Sequence, residues 1–146
     1  MNWSEEIMLV PRLIVATGLG AFIGFERQRR GNTAGIRTHA MVALASCLFG
    51  LISVHLFSPA DTRIISNIVT GVGFLGAGMI IKEENKVLGL TTAASVWSIA
   101  AVGLAVSLDM YIIAISATLL MYLVLKLKYF KWWDKISTKN NEQPAE

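Results

Sequence analysis

The chain has 146 residues, of which 54% are hydrophobic and only 16% carry a charge. The charges cluster and leave long apolar stretches between them, which is typical of a polytopic membrane protein. A net charge of +3 does not indicate a nucleic-acid partner, because the basic residues lie at the ends of apolar stretches, as in membrane proteins. The amino terminus lacks the basic region of a signal peptide, so we expect the first apolar stretch to be retained.

Five apolar segments are long enough to cross, or nearly cross, a bilayer as helices. They cover residues 7–25, 38–57, 64–81, 90–106 and 110–127. The connection between the fourth and fifth is so short that these two must form an antiparallel hairpin. The sequence therefore predicts an all-α bundle of five transmembrane helices over residues 1–133. A polar tail over residues 134–146 follows, which we expect to be disordered.

Lysine and arginine residues predict the orientation of the bundle in the membrane. The first connection carries four of them, the third carries two and the tail carries five, whereas the second carries one and the fourth none. This alternation predicts an amino terminus outside and a carboxyl terminus in the cytoplasm. Tyr122, Tyr129, Trp132 and Trp133 then lie near the inner boundary, as an aromatic belt does.

On this topology, polar residues from three segments meet at the cytoplasmic face. This predicted inner-face cluster consists of Glu26, Arg27, Arg37, Thr38, His39, Thr91 and Thr92. Thr38 and Thr91 are predicted helix N-caps. Helix N-termini next to a guanidinium group favour an anion, whether a lipid head group, a phosphate or a carboxylate of a partner. The alternative is that Glu26 pairs with Arg37 or Arg27 as an internal brace.

The third segment carries a dense glycine run, which we call the glycine-rich helix. Its candidate residues are Asn67, Gly71, Gly73, Gly76 and Gly78. A GxGxxG string in a soluble protein suggests dinucleotide binding, but this one lies inside an apolar segment. Small residues there, as in the series Ala16, Gly20 and Gly24 of the first segment, allow close helix crossings. The glycines are expected either to pack helices within one subunit or to line a cavity, a hinge or a subunit seam.

Three charges are predicted on the outer side: Arg12, Asp61 and Asp109. Arg12 lies deepest in an apolar stretch and should pair with an outer carboxylate, with a conduction path as the alternative. No carboxylate falls in the middle of a segment, whereas ion-coupled transporters usually carry ionisable residues there. The pattern identifies no metal site, although Asn67 could contact a hydrated Mg²⁺ ion. It predicts no cofactor, and no nucleophile–base pair suggests an enzyme.

Four stretches together resemble the motif set of the MgtC/SapB family. They are GFER at 24–27, AGIRTH at 34–39, GVGFLGAG at 71–78, and GLTTAA at 89–94 with Trp97. The resemblance implies a bacterial inner-membrane protein linked to Mg²⁺ homeostasis, and it does not imply ATPase activity. It also implies a soluble cytoplasmic domain after the last span, which this chain would lack as a short form.

We therefore expect a multi-pass protein of the bacterial cytoplasmic (inner) membrane with a non-enzymatic, regulatory or accessory role in Mg²⁺ homeostasis and adaptation to low Mg²⁺ or stress. The alternative is an oligomeric transporter or channel for Mg²⁺ or H⁺. The expected partners are the lipid bilayer, anionic lipid head groups, and either another membrane protein or a second copy bound through small-residue helix faces. A nucleic-acid partner is not expected.

Overall fold

A computed structural model of the protein describes residues 3–56, 62–84 and 86–127. Five helices and one small β-hairpin follow each other along the chain. They are α1 Trp3–Arg29, α2 Ile36–Leu56, α3 Thr62–Gly78, β1 Ile81–Glu83, β2 Lys86–Leu88, α4 Leu90–Ser107 and α5 Tyr111–Lys126. Asp61, Tyr129, Trp132, Trp133 and the tail over 134–146 lie outside the described residues.

The helices match the five predicted apolar segments, and a short β-hairpin that the sequence did not predict lies between α3 and α4. The third segment was expected to continue to Ile81, whereas α3 ends at Gly78 and Ile81 begins β1. The two strands pair antiparallel, with Ile81 opposite Leu88 and Glu83 opposite Lys86. Opposite charges facing each other across strands stabilise such a pair. Each strand has only three residues, too few for its alternation to be recognised in the sequence.

Three of the helices are long and apolar enough to cross a membrane by length and composition: α1, α2 and α4. The other two are apolar but shorter, with 17 residues in α3 and 16 in α5. At 1.5 Å per residue they reach about 24 to 26 Å, slightly less than the roughly 30 Å of a hydrocarbon core.

Helix α4 lies at the centre of the bundle, where it packs against α1, α2, α3 and α5. Its buried residues Ile99 and Val106 join Ile23 of α1 and Cys47 of α2 in one apolar core. Helices α3 and α5 each lie at an edge, and their outward sides are exposed. The bundle therefore leaves two peripheral helices that must face either lipid or another protein.

Small residues bring α1 and α2 close together. Ala16 is fully buried, and a Cβ atom added to Gly20 would lie 2.5 Å from the carbonyl oxygen of His39. A Cβ atom added to Gly24 would lie 2.6 Å from the Cα atom of Ile36. The predicted close-packing face of the first helix is thus confirmed. This crossing fixes the position of the carboxyl-terminal end of α1, where the candidate site lies.

Candidate functional site

The end of α1 turns sharply and places polar groups beside the starts of α2 and α4. Gly31 adopts a φ of 71°, which glycine accepts without strain. The amide of Gly31 donates to the Gln28 carbonyl at 3.0 Å, and the amide of Asn32 donates to the Arg27 carbonyl at 3.1 Å. These two bonds form a Schellman motif, which closes the helix and leads the chain back over its last turn.

Arg27 is the central residue of this site and is only 6% exposed. Its Nη2 atom donates to Asn32 Oδ1 at 2.7 Å and to Thr92 Oγ1 at 2.9 Å. The side-chain amide of Asn32 in turn donates to the Arg27 backbone carbonyl at 3.0 Å. A buried guanidinium needs such partners, because an unpaired charge is costly to remove from water. Arg27 therefore links α1 to the start of α4 through uncharged oxygens.

His39 forms a second link, between α2 and α4, and is fully buried. Its Nδ1 atom lies 3.0 Å from the Gly35 carbonyl oxygen and its Nε2 atom lies 3.1 Å from Ser95 Oγ. Because a carbonyl only accepts, Nδ1 must carry the proton of the neutral ring, and Nε2 then accepts from Ser95. The Ser95 hydroxyl also lies 2.8 Å from the Thr92 carbonyl oxygen. Its single proton is thus shared between two acceptors.

Glu26 is buried and forms an ion pair with Arg30, which lies four residues later, directly after the end of α1. The predicted pairing of Glu26 with Arg27 or Arg37 is therefore wrong. Residues four apart lie on the same helix face, whereas Arg27 lies about 100° around the helix from Glu26 and points to α4. The Oε2 atom of Glu26 is buried and accepts no hydrogen bond.

The three remaining members of the predicted cluster, Arg37, Thr38 and Thr91, are exposed at the same end. The two N-cap predictions are wrong. Helix α2 begins at Ile36, so Thr38 lies inside its first turn, and the N-cap of α4 is Gly89 rather than Thr91. The cluster thus divides into two parts. Glu26, Arg27, His39 and Thr92 are buried and form what we call the inner network, and the other three residues form an exposed set. The exposed set is available for contacts with other molecules.

The glycine-rich helix does not form the floor of this network. Only Gly76 is buried, and a Cβ atom there would make ordinary contact with Ala93 of α4 at 3.7 Å. Gly71, Gly73 and Gly78 are exposed, with open space where a side chain would be. Packing within one subunit therefore explains one of the four glycines of α3 and leaves the other three without a role.

An apolar cleft of about 690 Å³ separates α2 from α3. Its lining is aliphatic and aromatic, apart from Ser46 on α2 and Asn67 on α3. It therefore resembles a space for an apolar group more than a pathway for an ion. Within the described ranges, no three His, Cys, Asp or Glu side chains come together as a metal site.

The opposite end of the bundle brings together Arg12 and Asp109. Their side chains form an ion pair at 2.7 Å, and Arg12 also donates to the Ser107 carbonyl at 2.9 Å. Asp109 has a φ of 61° and occupies the position after α4 where glycine is usual. The ion pair explains an acidic residue at a strained position. Asp61, the third predicted outer charge, lies outside the described residues.

Sequence reasoning missed three members of the inner network: Arg30, Asn32 and Ser95. A signal was present for Asn32, since the Gly31–Asn32 pair directly follows a helix and is typical of a Schellman turn. Ser95 lies three residues after Thr92 and therefore on the same face of α4. Arg30 lies four residues after Glu26, which is the spacing of a helical ion pair.

The sequence profile of the MgtC family matches residues 13–131. The chain belongs to the MgtC family. This confirms the family resemblance, and the matched range contains the inner network, α3 and Asp109 and begins one residue after Arg12.

Named relatives agree with this assignment. A putative magnesium transporter of Escherichia coli, YhiD, is 39% identical over 81% of this chain and 59% of its own length. The protein MgtC of Salmonella typhimurium is 41% identical over 80% of this chain and 52% of its own length. An uncharacterized Synechocystis protein is 48% identical over 70% of this chain and 43% of its own length. The chain thus spans about half the length of the curated relatives it matches. No solved structure matches it.

Proposed function

We propose that this MgtC-family chain is a multi-pass module of the bacterial cytoplasmic membrane with a regulatory or accessory, non-enzymatic role in Mg²⁺ homeostasis. Family membership and the names of two relatives, MgtC and a putative magnesium transporter, support a role connected with Mg²⁺. The alternation of basic loops supports five spans with the amino terminus outside. The lipid bilayer is the proposed environment of the large exposed aliphatic residues.

The observation that carries this proposal is the separation of the two polar ends by an apolar core. Arg12 and Glu26 mark these ends on α1, and their separation of fourteen positions along the helix corresponds to about 21 Å. No Asp, Glu, His, Lys or Arg lies at residues 13–25, 40–54, 64–81, 87–108 or 110–125. Ion-coupled transporters usually hold ionisable residues at the depth that these ranges occupy. These ranges therefore hold none of the ionisable side chains on which ion-coupled transport usually depends, which supports the accessory role.

Transport by an oligomer is the second candidate function. The name of the E. coli relative favours it, as does the amide of Asn67 in the α2–α3 cleft. An amide oxygen is a ligand type that Mg²⁺ accepts while it keeps most of its water. Only this second function requires the purified protein to move Mg²⁺ across a membrane.

The exposed set at the inner end is the proposed contact surface of the accessory function. Arg37 offers a planar donor group for a carboxylate or phosphate, from a partner protein or an anionic lipid head group. Thr38 and Thr91 lie at the first turns of α2 and α4, where free backbone amides favour an anion. The internal network behind them keeps these two helix starts in fixed positions.

Growth of the native host at limiting Mg²⁺ tests this function. Deletion of the gene should slow growth at limiting but not at ample Mg²⁺, and the wild-type gene should restore it. Arg37→Ala should fail to restore growth while its level in the membrane stays unchanged, because the exposed side chain has no described role in folding. Arg37→Lys keeps the charge and separates a charge requirement from a requirement for the guanidinium plane.

Three outcomes would contradict the proposal. Unchanged growth of the deletion strain at limiting Mg²⁺ would remove the connection with Mg²⁺. Full rescue by Arg37→Ala would remove the contact surface. Loss of Arg37→Ala from the membrane would make Arg37 a structural residue.

A further inference from the structure

The outward side of α3 carries an unusual stripe of residues. Asn67, Thr70, Phe74 and Ala77 follow one another at intervals of three and four, and all four are exposed. Phe74 is 82% exposed, among the highest values of any large apolar side chain described. The opposite side of α3 packs on α4 through Gly76. The stripe therefore faces outward, and Asn67 at its edge also borders the cleft between α2 and α3.

Helix α5 shows what a lipid-facing side of this protein looks like. Its exposed residues include Ile112, Ile113, Leu119, Leu120 and Leu123, all large and aliphatic. The stripe of α3 contains instead an amide, a hydroxyl, a methyl group and one aromatic ring. Lipid tails pack well against aliphatic side chains and form no hydrogen bonds. The two peripheral helices should therefore face different surroundings.

Asn67 supplies an observation that is independent of residue size. Its side chain is exposed within an apolar helix and makes no hydrogen bond with any described residue. Thr70, by contrast, satisfies its hydroxyl by donating to the Ser66 carbonyl of its own helix at 3.3 Å. An amide without partners in hydrocarbon costs several kcal/mol. The described residues of the single subunit provide Asn67 with no such partner.

The spacing of the stripe indicates what that partner is. Asn67 and Phe74 are seven residues apart, as are Thr70 and Ala77, which is the repeat of two helices that supercoil around each other. Gly71 and Gly78 flank the stripe with open space around them, so a second backbone can approach closely. We propose that α3 packs in parallel against α3 of a second copy of this chain.

Self-complementarity selects a second copy over a different protein. In a parallel pair with two-fold symmetry, each residue meets its equivalent at the same depth. An amide group both donates and accepts hydrogen bonds, so the two Asn67 side chains satisfy each other. The exposed ring of Phe74 fills the space left beside the glycines of the partner. A buried Asn pair also fixes the register of such helices.

Disulfide cross-linking in native membranes tests the interface directly. In a Cys47→Ala background, Thr70→Cys and Ala77→Cys should give dimers of twice the chain mass on oxidation. Val72→Cys, on the buried side of α3, should give none. Leu120→Cys on α5 measures random collision. Equal cross-linking at Leu120 and at the stripe, or none at the stripe, overturns the proposal, as does an adduct with a different protein.

Glycine substitutions provide a matched second test by energy transfer between labelled copies in liposomes. Gly18 on α1 and Gly71 on α3 both have open space within one subunit where a Cβ atom would lie, so Gly18→Leu is the matched control for Gly71→Leu. Gly71→Leu should abolish dimers and Gly18→Leu should leave them unchanged. Asn67→Leu, which suits lipid, should weaken the dimer about three- to twentyfold, the range of a membrane hydrogen bond. Unchanged dimerisation in both α3 variants contradicts the proposal.

Discussion

Thr91 and Thr92 are neighbours on α4 and provide a matched pair of substitutions for the inner network. Thr92 is buried and accepts a hydrogen bond from Arg27 at 2.9 Å, whereas Thr91 is exposed. Thr→Val replaces a hydroxyl by a methyl group of nearly the same shape. The two variants make the same atomic change, but only Thr92→Val removes the hydrogen bond to Arg27.

The expected magnitude follows from the partners of Arg27. A hydrogen bond to a charged group contributes about 1.5–3 kcal/mol in soluble proteins, and hydrogen bonds in membrane proteins contribute about 0.6 kcal/mol on average. The same guanidinium nitrogen keeps its bond to Asn32 at 2.7 Å, which offsets part of the loss. We expect Thr92→Val to lower the free energy of unfolding by about 1 kcal/mol, and Thr91→Val by less than about 0.5 kcal/mol.

Reversible unfolding by SDS in mixed micelles, followed by circular dichroism, measures both variants. Thr92→Ser keeps the hydroxyl and should stay closer to wild type than Thr92→Val. A double-mutant cycle between Thr92→Val and Arg27→Met should give a coupling of about 1 kcal/mol, because the two residues share one bond. Equal destabilisation by the two valine variants, together with a coupling near zero, would refute the assigned role of this bond.

Two further predictions use the same unfolding measurement. Gly24→Ala should destabilise the bundle by about 2 kcal/mol or more, because its Cβ atom would lie 2.6 Å from the Cα atom of Ile36. Gly18→Ala should be neutral or stabilising, because alanine has the higher helix propensity. Equal effects of the two substitutions would contradict the close crossing of α1 and α2. Asp109→Ala should destabilise the bundle more than Asp109→Asn does. Both variants lose the ion pair with Arg12, but asparagine tolerates a positive φ better than alanine. The reverse order would show that backbone strain at this turn is unimportant.

The helices were predictable because each coincides with a long apolar segment. Such a segment can be recognised in the sequence without knowing which other helices it contacts. The hairpin of α4 and α5 followed from the length of one connection. The β-hairpin was not predictable, since its strands are too short to show alternation. Helix α3 was expected to run on because Ile80 and Ile81 continue its apolar pattern.

The inner site was predictable as a location but not as a set of contacts. Three helix ends bring their polar residues to one face, and the sequence shows those ends. Whether Arg27 or Arg37 points inward depends on how α1 and α2 are rotated about their axes, which packing around Gly20 and Gly24 decides. The same limit applies to α3, where the sequence shows dense glycine but not which side of the helix is covered.

The most direct test of the account is an ion-flux measurement on the purified protein in liposomes that contain Mg²⁺- and pH-sensitive dyes. An added ionophore confirms that the vesicles are sealed and the dyes respond. The accessory function predicts Mg²⁺ and H⁺ flux no greater than in protein-free vesicles. Robust flux that Asn67→Ala or Gly76→Leu abolishes would contradict the account and make α3 part of a transport pathway.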